Sequence, residues 1–239
     1  MFSIQFDNNN LDQIYDHYLN KFYSNNLLIN HRSFVEQNSY GYGERPFHAM
    51  WDEIVDNFKE EINFLEIGVY KGQILSLVRL LANNKNIKNK ILGVTPLINA
   101  GDKYSSYDNI NYSESIKNIF QIFNLQFDEN ENILKGFSND THIIDQLKNN
   151  RYNIIYIDGG HDYECVVSDI KLMKQILLKN GIVVFDDSSN YKTFSKNLFL
   201  GHEDVSRALK DTLENDINFI EVMCVGHNRV FKKIGNDTV

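Results

Sequence analysis

The chain has 239 residues, and its 32 Asp and Glu outnumber its 24 Lys and Arg, giving a net charge of −8 at pH 7. This acidic balance disfavours nucleic acid and anionic membranes as partners, because both present negative charge. Hydrophobic residues make up 42% of the chain and two residues are cysteines, which excludes a disordered chain and a disulfide-held scaffold. Neither a signal-peptide pattern nor an apolar run of about 18 residues is visible, so a cytoplasmic protein is expected.

The N-terminal quarter of the sequence has the spacing of amphipathic helices. Apolar side chains recur three and four residues apart from Leu11 to Phe22 and again from Phe47 to Phe58. Residues 38–43 are rich in Gly, Tyr and Asn and have the composition of a loop. We therefore predict a helical N-terminal extension over residues 1–60.

From Asn63 onward, short β-rich runs alternate with helical ones, a pattern typical of βα units around a parallel sheet. The predicted strands are 63–68, 90–95, 131–136, 152–158 and 181–186. The predicted helices are 72–84, 113–124, 140–149, 162–179 and 203–214. Two closing strands, 217–223 and 227–234, are expected to pair as a hairpin. Residues 61–239 thus form one predicted α/β domain.

A glycine-containing turn follows the first predicted strand. Glu66, Gly68 and Gly72 form an E-x-G-x-x-x-G pattern, in which glycine lets the backbone approach a ligand and the helix start offers free N–H groups. Neither the phosphate-loop pattern nor the three-glycine dinucleotide fingerprint is present. A carboxylate at this turn would repel a pyrophosphate and suits a ligand with an ammonium group or free hydroxyls. An ordinary strand-to-helix turn is the alternative interpretation.

Acidic residues end the fourth and fifth predicted strands. Asp158 ends the fourth strand, Asp186 and Asp187 end the fifth, and His161 follows shortly after Asp158. Ligands of open parallel sheets bind beyond the carboxyl ends of neighbouring strands, where these groups are expected to meet. Three carboxylates without cysteine are typical of sites for Mg²⁺, Mn²⁺ or Ca²⁺, and a histidine there suits a general base. Helix capping by the aspartates and a solvated histidine are the alternatives.

Together these motifs resemble the class I methyltransferases that use S-adenosylmethionine (SAM). The resemblance covers about residues 35–235 and is carried by residues 66–72, 158–161 and 186–187. Within this superfamily, the order of the motifs looks like that of metal-dependent O-methyltransferases that modify sugars of macrolides and related glycosides. The resemblance implies a Rossmann-like α/β fold, with a mostly parallel seven-stranded sheet, an antiparallel C-terminal strand and a helical N-terminal extension.

The resemblance also implies roles for individual residues. It makes His161 the catalytic base, together with Asp158, which also lies close to the donor. The implied ligands of a divalent metal, Mg²⁺ or Mn²⁺, are Asp158, Asp186 and Asp187. The implied SAM-binding residues are Glu66, Gly68, Val69, Tyr70, Gly72, Thr95, Phe137, Ser138 and Asp158. Thr95 stands where the family generally has an acid that binds the ribose hydroxyls, and it offers only a neutral hydrogen bond.

The expected function is metal-dependent methyl transfer from SAM to a hydroxyl of a small-molecule sugar or glycoside. The side chains expected to contact this acceptor are Tyr40, Tyr42, His48, Tyr191, Phe194 and Phe199. A catechol-like phenol is an alternative acceptor, and a non-catalytic binding or assembly subunit is an alternative class of protein. A nicotinamide dehydrogenase is disfavoured, because the glycine fingerprint is missing. The N-terminal helices are a candidate surface for homo-oligomer formation.

Overall fold

The computed structural model describes residues 2–98, 100–104 and 111–235. Its helices are Leu11–Tyr23 (α1), Asn26–Asn38 (α2), Arg45–Asp56 (α3), Gln73–Asn84 (α4), Tyr112–Ile122 (α5), Glu129–Asn132 (α6), Thr141–Lys148 (α7), Tyr163–Ile176 (α8) and Glu203–Thr212 (α9). Its strands are Glu61–Ile67 (β1), Lys88–Thr95 (β2), Ile133–Lys135 (β3), Tyr152–Ile157 (β4), Leu177–Phe185 (β5), Phe219–Val225 (β6) and Asn228–Lys233 (β7). Within these described ranges, no helix has the length and apolar character needed to cross a membrane.

The strands form a seven-stranded sheet in the order β3-β2-β1-β4-β5-β7-β6. β1 pairs in parallel with both β2 and β4, whereas β7 is antiparallel to its neighbours β5 and β6. The direction in which strands are added reverses between β1 and β4, and a ligand crevice is expected at such a switch point. The predicted α/β fold, with its mostly parallel sheet and antiparallel C-terminal strand, is confirmed.

Helices cover both faces of the sheet and create two apolar clusters. Residues of α3, α4 and α5 belong to the cluster on one face, and residues of α7, α8 and α9 belong to the cluster on the other. Along β1, Phe64 packs into the first cluster, while Leu65 and Ile67 pack into the second. Because successive side chains of a strand point to opposite faces, a sheet covered on both sides needs apolar residues at nearly every position.

The N-terminal helices pack on the same core as the sheet. Trp51 of α3 is 1% exposed, and its ring meets Phe64 of β1 and Tyr156 of β4 edge-on, with centroid separations of 5.8 and 5.2 Å. α1 packs on the outside of α3. Since Tyr156 lies two residues before Asp158, the extension reaches the end of the sheet where the acidic residues lie.

The junction of α8 and β5 differs from the prediction. α8 ends at Ile176 and β5 begins at Leu177, whereas the predicted helix continued to 179 and the predicted strand began at 181. Both junction residues are buried, at 0% and 1% exposure. A short apolar run fits the end of a buried helix and the start of a buried strand equally well, so the pattern alone does not separate them.

Helix α2 is absent from the sequence prediction. Its buried residues are Leu28, His31, Arg32 and Val35, so two of the four positions on its inner face are polar. A stripe that mixes polar and apolar residues gives little helical periodicity, so the hydrophobic pattern does not indicate this helix. Its start is marked by Asn25, whose side chain caps the helix by accepting a hydrogen bond from the backbone of Leu27.

Candidate active site

Two cavities lie beyond the carboxyl ends of the central strands. The first has a volume of about 320 Å³ and is bounded by the turns after β1, β2, β3 and β4. The second has a volume of about 610 Å³ and extends toward α3 and the end of β5. Gly68, Tyr70 and Asp158 line both cavities, so the two adjoin at the switch point between β1 and β4.

Gly68 allows the ends of β1 and β4 to touch. Its φ of 99° lies in the left-handed region, and a Cβ at this position would lie 1.9 Å from the carbonyl oxygen of Asp158. The backbone N–H of Asp158 donates to the carbonyl of Ile67 at 2.8 Å, which continues the pairing of the two strands past their ends. Only glycine satisfies both the conformation and the space, and Asp158 is thereby fixed beside the turn.

Replacing Gly68 with Ala is expected to lower the free energy of unfolding by about 3 kcal/mol or more, because the methyl group must displace the Asp158 carbonyl and strain the backbone. Chemical denaturation measures this change. Gly159→Ala is the matched control, since a Cβ there would meet no atom closer than 3.5 Å. Equal losses in the two variants would contradict the prediction.

Most of the predicted SAM-binding residues line the first cavity, namely Gly68, Val69, Tyr70, Thr95, Phe137, Ser138 and Asp158. Gly72 is not among its lining residues; it is the N-cap of α4, with a φ of 84°. Thr95 is 2% exposed, and its Oγ1 accepts a hydrogen bond from the backbone of Leu97 at 3.1 Å. The hydroxyl at this position therefore already supports the turn after β2.

Glu66 lines the second cavity, together with Gly68 and Tyr70, which border both cavities. Its side chain is 3% exposed and accepts a hydrogen bond from the backbone of Leu75, whereas its Oε2 has no hydrogen-bond partner among the described residues. Burial raises the pKa of this carboxyl to about 8, although the N–H of Leu75 opposes the shift. A buried carboxylate with a free oxygen is costly by itself and is suited to receive a cationic group.

The three predicted metal ligands converge at the ends of β4 and β5. Asp158, Asp186 and Asp187 all line the second cavity, and Asp158 and Asp186 directly follow the paired strands β4 and β5. Burial and the charges of Asp186 and Asp187 raise the pKa of Asp158 well above its ordinary value. Three carboxyls so close together repel one another when ionised, so their oxygen donors fit a divalent cation.

A histidine from the C-terminal hairpin completes this acidic cluster. His227 Nε2 lies 3.3 Å from Asp186 Oδ1, and the amide of Asn228 donates to the same oxygen at 2.7 Å. Ligand atoms of Asp186, Asp187 and His227 lie within 4.8 Å of one another, while Asp158 is outside the three-residue groups found in the described ranges. Burial alone would lower the pKa of His227, but Asp186 outweighs it and raises that pKa to about 9.

His161 is oriented by Asp102, a residue absent from the sequence prediction. Asp102 Oδ2 accepts hydrogen bonds from the backbone N–H and from Nδ1 of His161, each at 2.8 Å. The opposite ring nitrogen, Nε2, lies 3.2 Å from Asp187 Oδ2. Burial alone would lower the pKa of His161, but Asp187 and Asp102 outweigh it and raise that pKa. The ring therefore presents Nε2 to the second cavity.

His202 also contacts Asp187 and is likewise missing from the prediction. Asp187 has a φ of 49°, and its carbonyl accepts a hydrogen bond from the backbone of His202 at 2.8 Å. His202 Nε2 lies 3.4 Å from Asp187 Oδ2. His202 and His227 each follow a glycine in a loop, a local signal too common to identify either as part of a site.

Half of the predicted acceptor contacts line the second cavity. Tyr40, Tyr42 and Phe199 are among its lining residues, whereas the other three predicted contacts are not. One of those three, His48, is fully buried and shares a hydrogen bond of 3.0 Å with His31. Further aromatic lining residues are Phe47, Trp51, Tyr70, Tyr104 and Tyr156. The cavity therefore has an aromatic wall facing an acidic one.

An open parallel sheet with a glycine turn after β1 and an acidic crevice at its switch point defines a protein of the methyltransferase type. A family model described as a methyltransferase domain matches residues 65–188, which is more than half of the chain. The chain therefore belongs to this methyltransferase domain family. The predicted resemblance to class I methyltransferases is confirmed.

The chain is also similar to a viral protein and to solved methyltransferase structures. An uncharacterized protein of Acanthamoeba polyphaga mimivirus is 31% identical over 166 residues, and the match spans 66% of this chain and 66% of that protein, just under two thirds of its length. An O-methyltransferase from Bacillus cereus in complex with SAH has a TM-score of 0.53 at 10% identity, with 88% of this chain and 91% of that chain covered. A TDP-rhamnose 3'-O-methyltransferase of calicheamicin biosynthesis has a TM-score of 0.54 at 13% identity, with coverages of 92% and 93%. At these identities the two structures establish a shared fold.

Proposed function

We propose that the protein transfers a methyl group from SAM to a hydroxyl of a sugar or glycoside, with the help of a divalent cation. The observation that carries this proposal is the placement of Asp158, which lines both cavities. This residue lies between the glycine turn after β1, the proposed SAM site, and the acidic cluster. Membership in the methyltransferase domain family supports methyl transfer. The shared fold with an enzyme named for a sugar substrate agrees with the proposed acceptor.

The residues around the first cavity fit SAM. Glu66 lines the adjoining second cavity, and its free Oε2 ionises to bind the ammonium group of the methionine moiety. Gly68 lets Asp158 lie directly against the turn after β1, and Thr95, Phe137 and Ser138 line the part of the cavity beyond β2 and β3. The shared border at Tyr70 and Asp158 brings a donor in the first cavity next to an acceptor in the second.

The acidic cluster fits a magnesium-class cation. Asp158, Asp186 and Asp187 would hold it through carboxylate oxygens, which Mg²⁺ and Mn²⁺ prefer. Burial and the neighbouring aspartates raise the pKa of Asp158, and Asp186 raises the pKa of His227, so the cluster attracts positive charge. A divalent cation would supply that charge in a form that also binds an acceptor oxygen.

The chemistry follows from these positions. When bound, SAM supplies an electrophilic sulfonium methyl group, and the cation stabilises negative charge on the acceptor oxygen. His161 accepts the hydroxyl proton at Nε2, because Asp102 holds the hydrogen on Nδ1 and thereby fixes the tautomer. The aromatic wall, including Tyr42 and Tyr70, excludes water and orients the acceptor.

A catechol-like phenol is the second candidate acceptor. The rings of Tyr42 and Tyr70 are stacked, with centroids 5.7 Å apart and planes 21° apart, and both residues line the second cavity. Such a flat surface packs against the face of a phenol as well as against a sugar ring. Two adjacent hydroxyls on either molecule would meet the acidic cluster in the same way.

The test is methyl transfer from labelled SAM to a panel of glycosides and catechols, with Mg²⁺ present or removed by EDTA. We expect methylated glycosides and loss of activity in EDTA. Methylation of catechols alone would select the second acceptor, and full activity in excess EDTA would contradict the cation. Calorimetry that detects no SAM binding at about 1 mM would instead favour the non-catalytic subunit.

His161→Gln is expected to lower kcat by about 10²- to 10⁴-fold, because glutamine cannot take up the acceptor proton. His161 lines the second cavity and not the first, so SAM affinity should stay within about twofold of the unmodified protein. Steady-state kinetics and calorimetry measure the two quantities. A variant that keeps its kcat would show that another group removes the proton.

A further inference from the structure

Two histidines and an aspartate meet at one side of the second cavity. Asp187 Oδ2 lies 3.2 Å from Nε2 of His161 and 3.4 Å from Nε2 of His202. The ligand atoms of all three lie within 4.8 Å of one another. A tetrahedral zinc ion with bonds of about 2.0–2.1 Å places neighbouring ligand atoms roughly 3.3 Å apart. Both distances to Asp187 match this tetrahedral spacing, and the third side of the triangle is at most 4.8 Å.

Neighbouring side chains hold both imidazoles in place. Asp102 accepts the Nδ1 hydrogen of His161, which leaves Nε2, on the side of Asp187, as the ring nitrogen available to an ion. A carboxylate behind a metal-binding histidine is the usual way in which proteins fix its tautomer and raise its basicity. Tyr104 stacks on His202 with centroids 4.4 Å apart, and its backbone N–H donates to Asp102 at 2.9 Å. One carboxylate thus supports both histidines.

We propose that His161, His202 and Asp187 form a second cation site, which binds one transition-metal ion of the zinc class. Two imidazole nitrogens and one carboxylate favour such an ion over Mg²⁺. The negative charges of Asp187 and Asp102 together balance its two positive charges. Three protein ligands leave a fourth position open toward the second cavity, which all three residues line.

The neighbouring group of Asp186, Asp187 and His227 is a weaker candidate for the same ion. It contains a single imidazole, and His227 Nε2 is 3.9 Å from Asp187 Oδ1. Asp186 Oδ1 already accepts a hydrogen bond from Asn228. The carboxylates of that group belong with the magnesium-class cation, so the two sites share only Asp187.

An ion in the second site inhibits methyl transfer. The ion binds Nε2 of His161, which is the atom that takes the proton from the hydroxyl group to be methylated. The base is then no longer available. This consequence rests on the proposed function, whereas the binding of the ion does not.

The binding test is calorimetric titration of Zn²⁺ into the full chain, together with zinc X-ray absorption of the unmodified protein. We expect one tightly bound ion with two imidazole ligands. His202→Ala should weaken binding by about 100-fold or more, and Asp102→Asn by about 10- to 100-fold. His142→Ala, at an exposed histidine of α7, is the matched control and should leave binding unchanged.

Three results would overturn the site. They are no zinc binding to the unmodified protein, fewer than two imidazoles in the absorption spectrum, or a loss of binding in His227→Gln that His202→Ala does not share. Circular dichroism verifies the folding of each variant. If a variant does not fold, the zinc X-ray absorption spectrum of the unmodified protein decides whether the site exists. The inhibition is tested separately by adding Zn²⁺ to Mg²⁺-supported methyl transfer; a protein that binds zinc as described and remains fully active would overturn the inhibition alone.

Discussion

Asp187→Asn is expected to lower kcat for methyl transfer by about 10³-fold, since it removes a carboxylate charge worth several kcal/mol at the cation and the acceptor oxygen. Asparagine keeps the volume of the side chain and tolerates the left-handed backbone, whose φ is 49°. The fold is therefore expected to survive. Because Asp187 lines only the second cavity, the affinity for SAM should change by less than about threefold.

Steady-state kinetics over a range of Mg²⁺ concentrations, combined with calorimetry of SAM binding, separates these effects. Asp145→Asn removes one carboxylate from an exposed position of α7 and controls for the change in net charge. A kcat within about tenfold of the unmodified protein would show that Asp187 does not hold the cation. Parallel losses of kcat and SAM affinity would instead indicate a disturbed fold.

The acidic part of the site follows from the sequence because neighbouring parallel strands end at the same edge of a sheet. Asp158 follows β4 and Asp186 follows β5, and these two strands, which α8 connects, are parallel neighbours in the sheet. The hydrophobic runs before these residues show where the strands are, and the ends of the strands determine where the aspartates lie. No information beyond the order of the elements is needed to place the two carboxyls together.

The residues that hold these acids in place depend on contacts between distant loops. His227 reaches Asp186 because β7 pairs with the end of β5. His202 reaches Asp187 because Gly201 packs against the backbone of that aspartate, where a Cβ would lie 2.0 Å from its carbonyl carbon. Neither contact has a periodic signature, since loop positions are set by tertiary packing.

His48 is a residue for which the sequence predicts a role in the site and the structure shows a place in the core. Its place near the aromatic N-terminal loop predicts an acceptor contact, but its ring is 0% exposed and pairs with His31 inside the core. Burial lowers the pKa of both imidazoles, so they are neutral and able to replace apolar residues on the inner faces of α2 and α3. A histidine within an apolar helical stripe gives the same sequence pattern whether it contacts a ligand or is buried in the core. Only the packing in the structure distinguishes the two.

Glu66→Gln is expected to change stability and donor affinity in opposite directions. The carboxyl has an ordinary pKa of 4.5 and a pKa of about 8 in the folded protein. Between these values the unfolded chain is ionised while the folded chain keeps its proton, so the folded state loses stability as the pH rises from about 5 to 8. The amide does not ionise, and the variant should gain on the order of 3 kcal/mol relative to the unmodified protein at pH 8 but little at pH 5.

The same substitution should weaken SAM binding by about 10- to 100-fold, because it replaces a charge-assisted hydrogen bond to the donor ammonium with a neutral one. Binding to the unmodified protein at pH 7 should release up to one proton as Glu66 ionises, and binding to the variant should release fewer. Calorimetry in buffers of different ionisation enthalpy measures this release, and thermal unfolding at pH 5 and 8 measures the stability. Glu60→Gln, at an exposed position just before β1, is the control for both. A stability difference that does not depend on pH would show that Glu66 is ionised in the folded protein, and unchanged SAM affinity would place the ammonium elsewhere.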